Sequence, residues 1–156
     1  MVVVAIIGVM AVMAAPSMWQ MIVNNRISTT ASDLVVDLTY ARATAIQRGV
    51  RVGACRSTSL TACDGVNWQD GWMIYTDAAS DGYTAGTDTI LRVRDALASG
   101  MTVVPTDATA RVTYRPSGPS DAARTFLVCN TGFVGRNIAI STTGRINSTP
   151  TAANCP

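Results

Sequence analysis

The sequence predicts an α+β fold in which one long N-terminal helix packs on a mainly antiparallel β-sheet domain. Residues 1–23 form an apolar run without any charge, and apolar residues then recur at helical spacing to about residue 48. After Gly49 the spacing changes to the two-residue alternation of strands. The chain of 156 residues therefore divides into an apolar helical anchor (1–23), an amphipathic stalk helix (24–48) and a β-rich globular head (49–156).

The first helical segment has the character of a membrane span. Its sequence, MVVVAIIGVMAVMAAPSMWQMIV, carries no charged side chain, and an uncharged apolar run of about 18 or more residues is the usual signal of a transmembrane helix. Pro16 removes one backbone hydrogen bond and crowds the preceding turn. We therefore expect a kink or a loosened helix between Gly8 and Pro16.

The second helical segment is amphipathic, and its apolar stripe is predicted to pack on the head. Gly49 follows the stripe directly and is predicted to cap the helix. The stripe consists of Ile27, Ala31, Leu34, Val35, Leu38, Ala41, Ala45 and Ile46. Polar residues lie mostly off it, namely Arg26, Ser28, Ser32, Asp33, Asp37 and Arg42.

Short segments with strand character follow, separated by clusters of Gly, Asp, Ser and Pro. Trp68 and Trp72 flank a Gln-Asp-Gly turn and are predicted to pack in the core or at its rim. The predicted strands are residues 50–55, 72–76, 90–94, 111–115, 125–129 and 137–141.

Four cysteines allow three disulfide pairings. We favour Cys55–Cys63, which closes a short loop, and Cys129–Cys155, which ties the C-terminal tail to a predicted strand. Two disulfides beside an anchor indicate an oxidising compartment outside the cytoplasm. A zinc site is the alternative, but the chain has no histidine and no Cys-x-x-Cys pair.

The composition argues against an enzyme. Every basic residue is Arg and every acidic residue is Asp, so the chain lacks Lys, Glu and His. Without His and Glu it has few groups for acid–base chemistry at neutral pH, and a Ser-His-Asp triad is impossible. Neither a G-x-S-x-G elbow, a P-loop nor a G-x-G-x-x-G motif occurs. We expect no cofactor and no small-molecule substrate.

The charge is unevenly distributed along the chain. Residues 24–110 hold seven Arg and nine Asp, whereas residues 111–156 hold five Arg and one Asp, a net +4. This basic end is either an ordinary solvated face or a patch for an anionic polymer or an acidic partner.

The apolar N-terminus and the amphipathic stalk resemble those of type IV pilins and pseudopilins. The head is similar to FimT/FimU-type minor pilins and GspH-type pseudopilins, and the matching stretches follow the family order. In that family a leader is cut before a Phe or Met and a Glu follows; neither the leader nor the Glu is present, so we expect a mature chain trimmed by several residues. The matching stretches are DLVVDLTYARATA (33–45), RGVRV (48–52), DGWMIYTD (70–77), ILRVR (90–94), FLVC (126–129) and IAISTTGRI (138–146).

The resemblance implies a non-catalytic building block. Such a protein is anchored in the inner membrane with a periplasmic head, and then joins a surface fibre by packing its N-terminal helix against other minor pilins and the major pilin. The implied role is that of a type IV minor pilin in the tip complex that starts assembly. The alternatives are a DNA-binding minor pilin used in DNA uptake and a GspH-type pseudopilin of a type II secretion system.

One subgroup of the family, which acts in DNA uptake, carries a C-terminal Gly-Arg-x-Arg motif. Gly144 and Arg145 match it, but Asn147 replaces the second Arg. The resemblance makes Arg145 a candidate phosphate contact, helped by Arg136 if the adjacent turns place both on one face. Otherwise Gly144 is a turn residue and Arg145 a solvated one. Non-specific DNA binding needs several phosphate contacts, so this site would be weak.

Residues 77–88, DAASDGYTAGTD, resemble a calcium-binding loop in part. Asp77, Asp81, Gly82 and Asp88 occupy EF-hand positions, but Ala79 fills a ligand position and Asp88 stands where a bidentate Glu is needed. Strands, not helices, are predicted on both sides. A polar hairpin loop is therefore favoured over a metal site.

Overall fold

The computed structural model describes the backbone of residues 2–155 and the side chains of residues 18–152 and 155. One helix, α1, runs from Val2 to Arg48. It is followed by β1 (Val52–Arg56), a short 3-10 turn (Trp68–Asp70), β2 (Trp72–Thr76), β3 (Ile90–Arg94), β4 (Met101–Pro105), β5 (Arg111–Tyr114), β6 (Arg124–Asn130), β7 (Val134–Ile140) and β8 (Ile146–Asn154).

The strands form two four-stranded sheets that pack against the same helix. Their orders are β3-β2-β1-β5 and β4-β6-β7-β8, and all the pairs within them are antiparallel. The predicted α+β class and its antiparallel sheet are thus confirmed. Strands β4 and β8 were not predicted. Both are edge strands that contain a proline, Pro105 and Pro150, a residue that sheets tolerate at their edges.

The stalk helix ends just before Gly49, as the sequence predicts. Gly49 has a φ of 66°, and its N–H donates to the Ala45 carbonyl over 3.0 Å. The apolar stripe is buried as expected at most positions, but Ile46 is 52% exposed, at the end of the stripe beside Gly118 of the β5–β6 loop. The interpretation of Asp37 as an off-stripe residue is wrong, since it is only 1% exposed.

The core lies between α1 and the inner faces of both sheets. Trp68 and Trp72 are both 1% exposed, which confirms that they are packing residues. The Trp68 ring meets Phe126 edge to face with centroids 4.9 Å apart, and its Nε1 donates to the Thr109 carbonyl over 2.9 Å. The 3-10 turn therefore joins the first sheet to the second.

Within the part of the chain that the structure describes, no helix is both long and apolar enough to cross a membrane. The side chains of residues 1–17, which make up most of the predicted span, lie outside the described residues. The predicted span and the expected kink at Pro16 therefore stay predictions.

Candidate assembly surface and C-terminal loop

Four exposed apolar side chains lie side by side on α1 where it leaves the head. We call Met18, Trp19, Met21 and Ile22 the apolar collar; they are 64%, 60%, 75% and 43% exposed. Val23, the next residue, is 3% exposed because the head covers it. Contiguous apolar surface of this kind marks a protein–protein or membrane contact.

The stalk is fixed to the first sheet by one buried carboxylate. Asp37 accepts hydrogen bonds from Trp72 Nε1 at 3.0 Å, from Arg92 Nη1 at 2.9 Å and from Arg94 Nε at 3.1 Å. The Arg92 guanidinium also lies over the Tyr40 ring, 4.3 Å from its centroid. A buried charge is stable only when it is paired and hydrogen-bonded, and this network supplies both.

Sequence reasoning missed this network, although a signal was present. Arg92 and Arg94 alternate within the ILRVR stretch, and two residues apart on a strand means the same face. Two cations on one sheet face predict an anion opposite them. Asp37 is that anion.

The structure contains both favoured disulfides. Cys55–Cys63 has a Cα–Cα distance of 5.7 Å and Cys129–Cys155 one of 5.8 Å. Gly135 lies against the second bridge, since a Cβ there would be 2.7 Å from Cys155 Sγ. The second disulfide thus holds the end of β8 against β6 and β7.

The loop closed by the first disulfide is organised by Asp64. Its Oδ1 accepts the backbone N–H of Thr58 at 2.9 Å and of Ser59 at 3.2 Å. Hydrogen bonds from Ser59 and then Thr58 lower the pKa of the Asp64 carboxyl to about 2, because they favour its ionised form.

Residues 141–145 form a tight loop between β7 and β8. Ser141 N donates to the Arg145 carbonyl at 2.9 Å, and Arg145 N donates to Ser141 Oγ at 3.0 Å. Gly144 has a φ of 79°, a conformation that favours glycine. The Arg145 side chain is exposed and has no ion pair or hydrogen bond among the described residues.

The structure does not bring Arg136 and Arg145 together. Arg136 pairs in register with Val128 and so shares the inner sheet face with Ile138, where its Nε donates to Ser148 Oγ at 3.1 Å. Arg145 instead lines a groove bordered by Ala139, Ile140 and Asn147, and Arg136 is not among its lining residues.

The groove beside Arg145 has a volume of about 520 Å³. Inside it, Arg124 pairs with Asp107 at 2.6 Å and with Asp121 at 2.9 Å. Burial opposes ionisation of Asp121, but Arg124 outweighs it and holds the pKa of this carboxyl below its ordinary value. Asp107 lines the groove and Asp121 lies beside it, so these two carboxylates together offset the charges of Arg124 and Arg145. Its lining residues are Thr106, Asp107, Ala123, Arg124, Thr125, Ala139, Ile140, Ser141, Arg145 and Asn147.

The β2–β3 hairpin loop gathers three carboxylates. Oxygens of Asp77, Asp81 and Asp88 lie within 4.8 Å of one another, and they are the group that could hold a cation among the described residues. Asp88 accepts the backbone N–H of Ala78 at 3.1 Å and of Thr84 at 2.9 Å. The loop connects two antiparallel strands, as the hairpin interpretation expects. Backbone N–H groups of the loop already occupy both oxygens of Asp88.

The family model of the type II transport protein GspH matches residues 30–144. The chain belongs to the GspH family. None of the curated protein sequences matches it significantly. The family match covers the stalk from Thr30 onward, strands β1 to β7 and the loop up to Gly144, so it includes the Asp37 network.

Solved structures of minor pilins and pseudopilins share the fold of this GspH-family chain. The type IV minor pilin FimU of Pseudomonas aeruginosa PAO1 is 25% identical with a TM-score of 0.68, over 83% of this chain and 96% of that one. A second crystal form of FimU gives a TM-score of 0.64 at 25% identity, over 81% and 98%. The minor pseudopilin EpsH from the type 2 secretion system of Vibrio cholerae is 12% identical with a TM-score of 0.54, over 80% and 97%. The likeness to EpsH shows the fold alone.

The GspH family and this fold are those of structural pilin and pseudopilin subunits. Membership accounts for the architecture described above, a long N-terminal helix with an antiparallel head. The chain is therefore a minor pilin- or pseudopilin-type subunit, and its family assembles with other pilins in a pilus or a pseudopilus.

Proposed function

We propose that this GspH-family chain is a minor pilin of a type IV pilus and belongs to the tip complex that primes assembly. The apolar collar carries the proposal. Met18, Trp19, Met21 and Ile22 are exposed on the isolated chain at the point where the helix leaves the head, and burying such side chains against neighbouring helices is favourable. The same side chains suit the membrane before assembly.

The likeness to FimU is the observation that favours a pilus, whereas the matching family model carries the name of a type II transport protein. FimU, a type IV minor pilin, matches this chain with higher identity and a higher TM-score than the pseudopilin EpsH does. In a fibre, neighbouring helices would replace lipid around an uncharged helix, so the transfer would change its solvation little. An inner-membrane anchor and a periplasmic head before assembly complete this proposal.

The test is deletion of the gene in its host, followed by counts of surface pili and assays of secreted proteins. Complementation uses the wild-type chain, a Trp19→Asn/Met21→Asn variant of the collar, and Val66→Asn as the matched control. Val66 is an equally exposed apolar residue on the head, at 72%. The proposal expects pili to be lost on deletion and restored by wild type and Val66→Asn, but not by the collar variant. Loss of secretion with intact pili would instead identify a pseudopilin.

A DNA-binding role in uptake is the second candidate function. The observation in its favour is Arg145, an exposed cation without an ion pair in the described residues, held in a short loop. Its separation from Arg136 and the balanced charge of the neighbouring groove predict weak binding, because affinity rises with the number of phosphates neutralised. A gel shift of the full chain with double-stranded DNA at low and physiological salt tests it. Arg145→Ala should abolish binding and Arg136→Ala should leave it unchanged.

A further inference from the structure

One helix side chain joins two loops that are distant in sequence. Arg42 Nε donates to the Gly118 carbonyl over 2.9 Å, and its Nη2 donates to the Thr143 carbonyl over 3.1 Å. Gly118 lies in the β5–β6 loop and Thr143 in the β7–β8 loop. Arg42 therefore ties both loops to the stalk helix.

Gly144 occupies the same junction. A Cβ at this position would overlap the Gly118 carbonyl oxygen and would lie 2.8 Å from Arg42 Nε. Glycine is thus required by close approach as well as by its positive φ. In this structure Gly144 contacts the helix and the neighbouring loop, and its small size serves that contact.

The two loops also bond directly to each other. Ser120 N donates to the Thr142 carbonyl at 3.1 Å, and Gly118, Gly144 and Ser120 are all buried. The Gly118 carbonyl would lose its guanidinium partner if Arg42 were removed, and a buried acceptor without a donor destabilises its surroundings. The junction is therefore sensitive to Arg42.

We infer that Arg42 is the positioning residue of the loop that presents Arg145, and that Gly144 serves this junction rather than contact with a ligand. A guanidinium holds donors on separate nitrogen atoms in one rigid plane and so reaches two carbonyls at once, whereas an ammonium carries its three N–H donors on one nitrogen at the end of a flexible stem. The helix and the loop of residues 141–145 then form one rigid unit. The consequence for DNA binding depends on the second candidate function, but the consequence for loop order does not.

Amide hydrogen exchange of the full chain in detergent micelles tests the inference. The variants are Arg42→Met, Arg42→Lys, Gly144→Ala and the double variant Arg42→Met/Gly144→Ala. Gly132→Ala is the matched control for the backbone, because Gly132 has a φ of 83° but open space where its Cβ would stand. Arg48→Met is the control for charge, since Arg48 is an exposed arginine of the same helix.

We expect faster amide exchange only in the two loops that Arg42 joins. Arg42→Met and Gly144→Ala should accelerate exchange of the amides of Ser120, Ser141 and the residue at position 144 about tenfold, the factor that loss of one buried hydrogen bond represents. Exchange rates of amides in the β2–β3 loop should be unchanged. Both control variants should exchange at wild-type rates in the loop of residues 141–145. The double variant should exchange no faster than the faster single variant, because both changes break the same junction. Arg42→Lys should restore protection only in part.

Three results would overturn the inference: unchanged exchange in Arg42→Met, equal acceleration of every protected amide, or the same local effect in Gly132→Ala. If Arg42→Met does not fold, Arg42→Lys decides by the same amides. DNA affinity is measured in parallel. If the wild-type chain binds DNA, Arg42→Met should weaken binding although Arg145 is present, and unchanged affinity would contradict positioning. If the wild-type chain binds no DNA, the second candidate function fails while the exchange data still decide the role of Arg42.

Discussion

Asp37 and Trp72 join the stalk helix to the first sheet through a hydrogen bond of 3.0 Å between the carboxylate Oδ2 and the indole Nε1. Each residue is 1% exposed. The bond is directional, and Arg92 and Arg94 of β3 complete the carboxylate's partners from one side. Helix and sheet can therefore dock in one register only. A fibre subunit benefits from this because its head has to keep a fixed orientation on the helix.

Replacement of Asp37 by alanine should destabilise the chain by about 3 kcal/mol, since it leaves the Trp72 N–H and two guanidinium groups without their common acceptor. We expect the lower end of the range for broken buried pairs, because the Arg92 and Arg94 side chains are 40% and 33% exposed and can be hydrated. Urea unfolding of the full chain in micelles, followed by tryptophan fluorescence, measures the loss. Asp33→Ala is the control, because Asp33 is 42% exposed and 3.7 Å from Arg94; its loss should stay under about 0.5 kcal/mol. Equal losses of stability in Asp37→Ala and Asp33→Ala would contradict the proposed contribution of the Asp37 network.

Much of the fold follows from local pattern. The helical spacing of Ile27, Ala31, Leu34 and Leu38 identifies the face that is buried, and the change of period after Gly49 locates the start of the sheets. Strands β4 and β8 were missed because Pro105 and Pro150 count against a strand in the sequence, whereas an edge position removes that penalty. Whether a strand lies at an edge depends on how all the strands of the sheet pair. It cannot be predicted from the local sequence pattern.

The functional surface was less predictable, because it depends on contacts between distant residues. Arg42 reaches carbonyls 76 and 101 residues away, and neither carbonyl has a side-chain identity that a motif could display. The Gly-Arg pair at 144–145 was recognised, but its glycine turned out to contact the helix. The sequence makes Arg136 a candidate helper of Arg145, yet Arg136 shares a strand face with Ile138 and does not line the groove beside Arg145.

Alkali should destabilise the head partly through Tyr75. Burial first, and then the charge of Asp77, raise the pKa of its hydroxyl to about 12, whereas an unfolded tyrosine titrates near 10. Between these values the unfolded chain has lost the proton and the folded chain has kept it, so stability is complete below about pH 10 and falls as pH rises towards 12. A shift of two pKa units corresponds to a loss of roughly 2–3 kcal/mol in the free energy of unfolding.

Urea unfolding at pH 9 and pH 11.5 measures this effect. Tyr75→Phe should lower the difference between the two pH values, although not abolish it, because burial also raises the pKa of Tyr114. Tyr83→Phe is the matched control, since it keeps the ring that packs edge to face on Tyr75 at 5.4 Å. The same pH difference in wild type and Tyr75→Phe would contradict the assignment.

Acid should loosen the loop closed by Cys55 and Cys63. The pKa of Asp64 is lowered to about 2 by hydrogen bonds from Ser59 and Thr58, against an ordinary value of about 3.9. A lowered pKa means that the contribution of Asp64 is complete above the ordinary value and is lost as pH falls to 2. A carboxyl ¹³C titration should place the Asp64 midpoint well below the ordinary value of about 3.9. In Asp64→Asn, amide exchange at Ser59 should be fast even at pH 5, and slow exchange there would contradict the capping role.

Removal of the second disulfide should cost more stability than removal of the first. Cys129–Cys155 spans 26 residues and Cys55–Cys63 spans 8, and a longer closed loop restricts the unfolded chain more strongly. The difference from this source is about 1 kcal/mol within a total of about 3 kcal/mol for the longer loop. Urea unfolding of Cys55→Ala/Cys63→Ala and of Cys129→Ala/Cys155→Ala, both against wild type, measures it. Equal losses would mean that packing around the sulfur atoms, such as the contact of Cys155 with Gly135, outweighs loop length in setting the stability that each bridge adds.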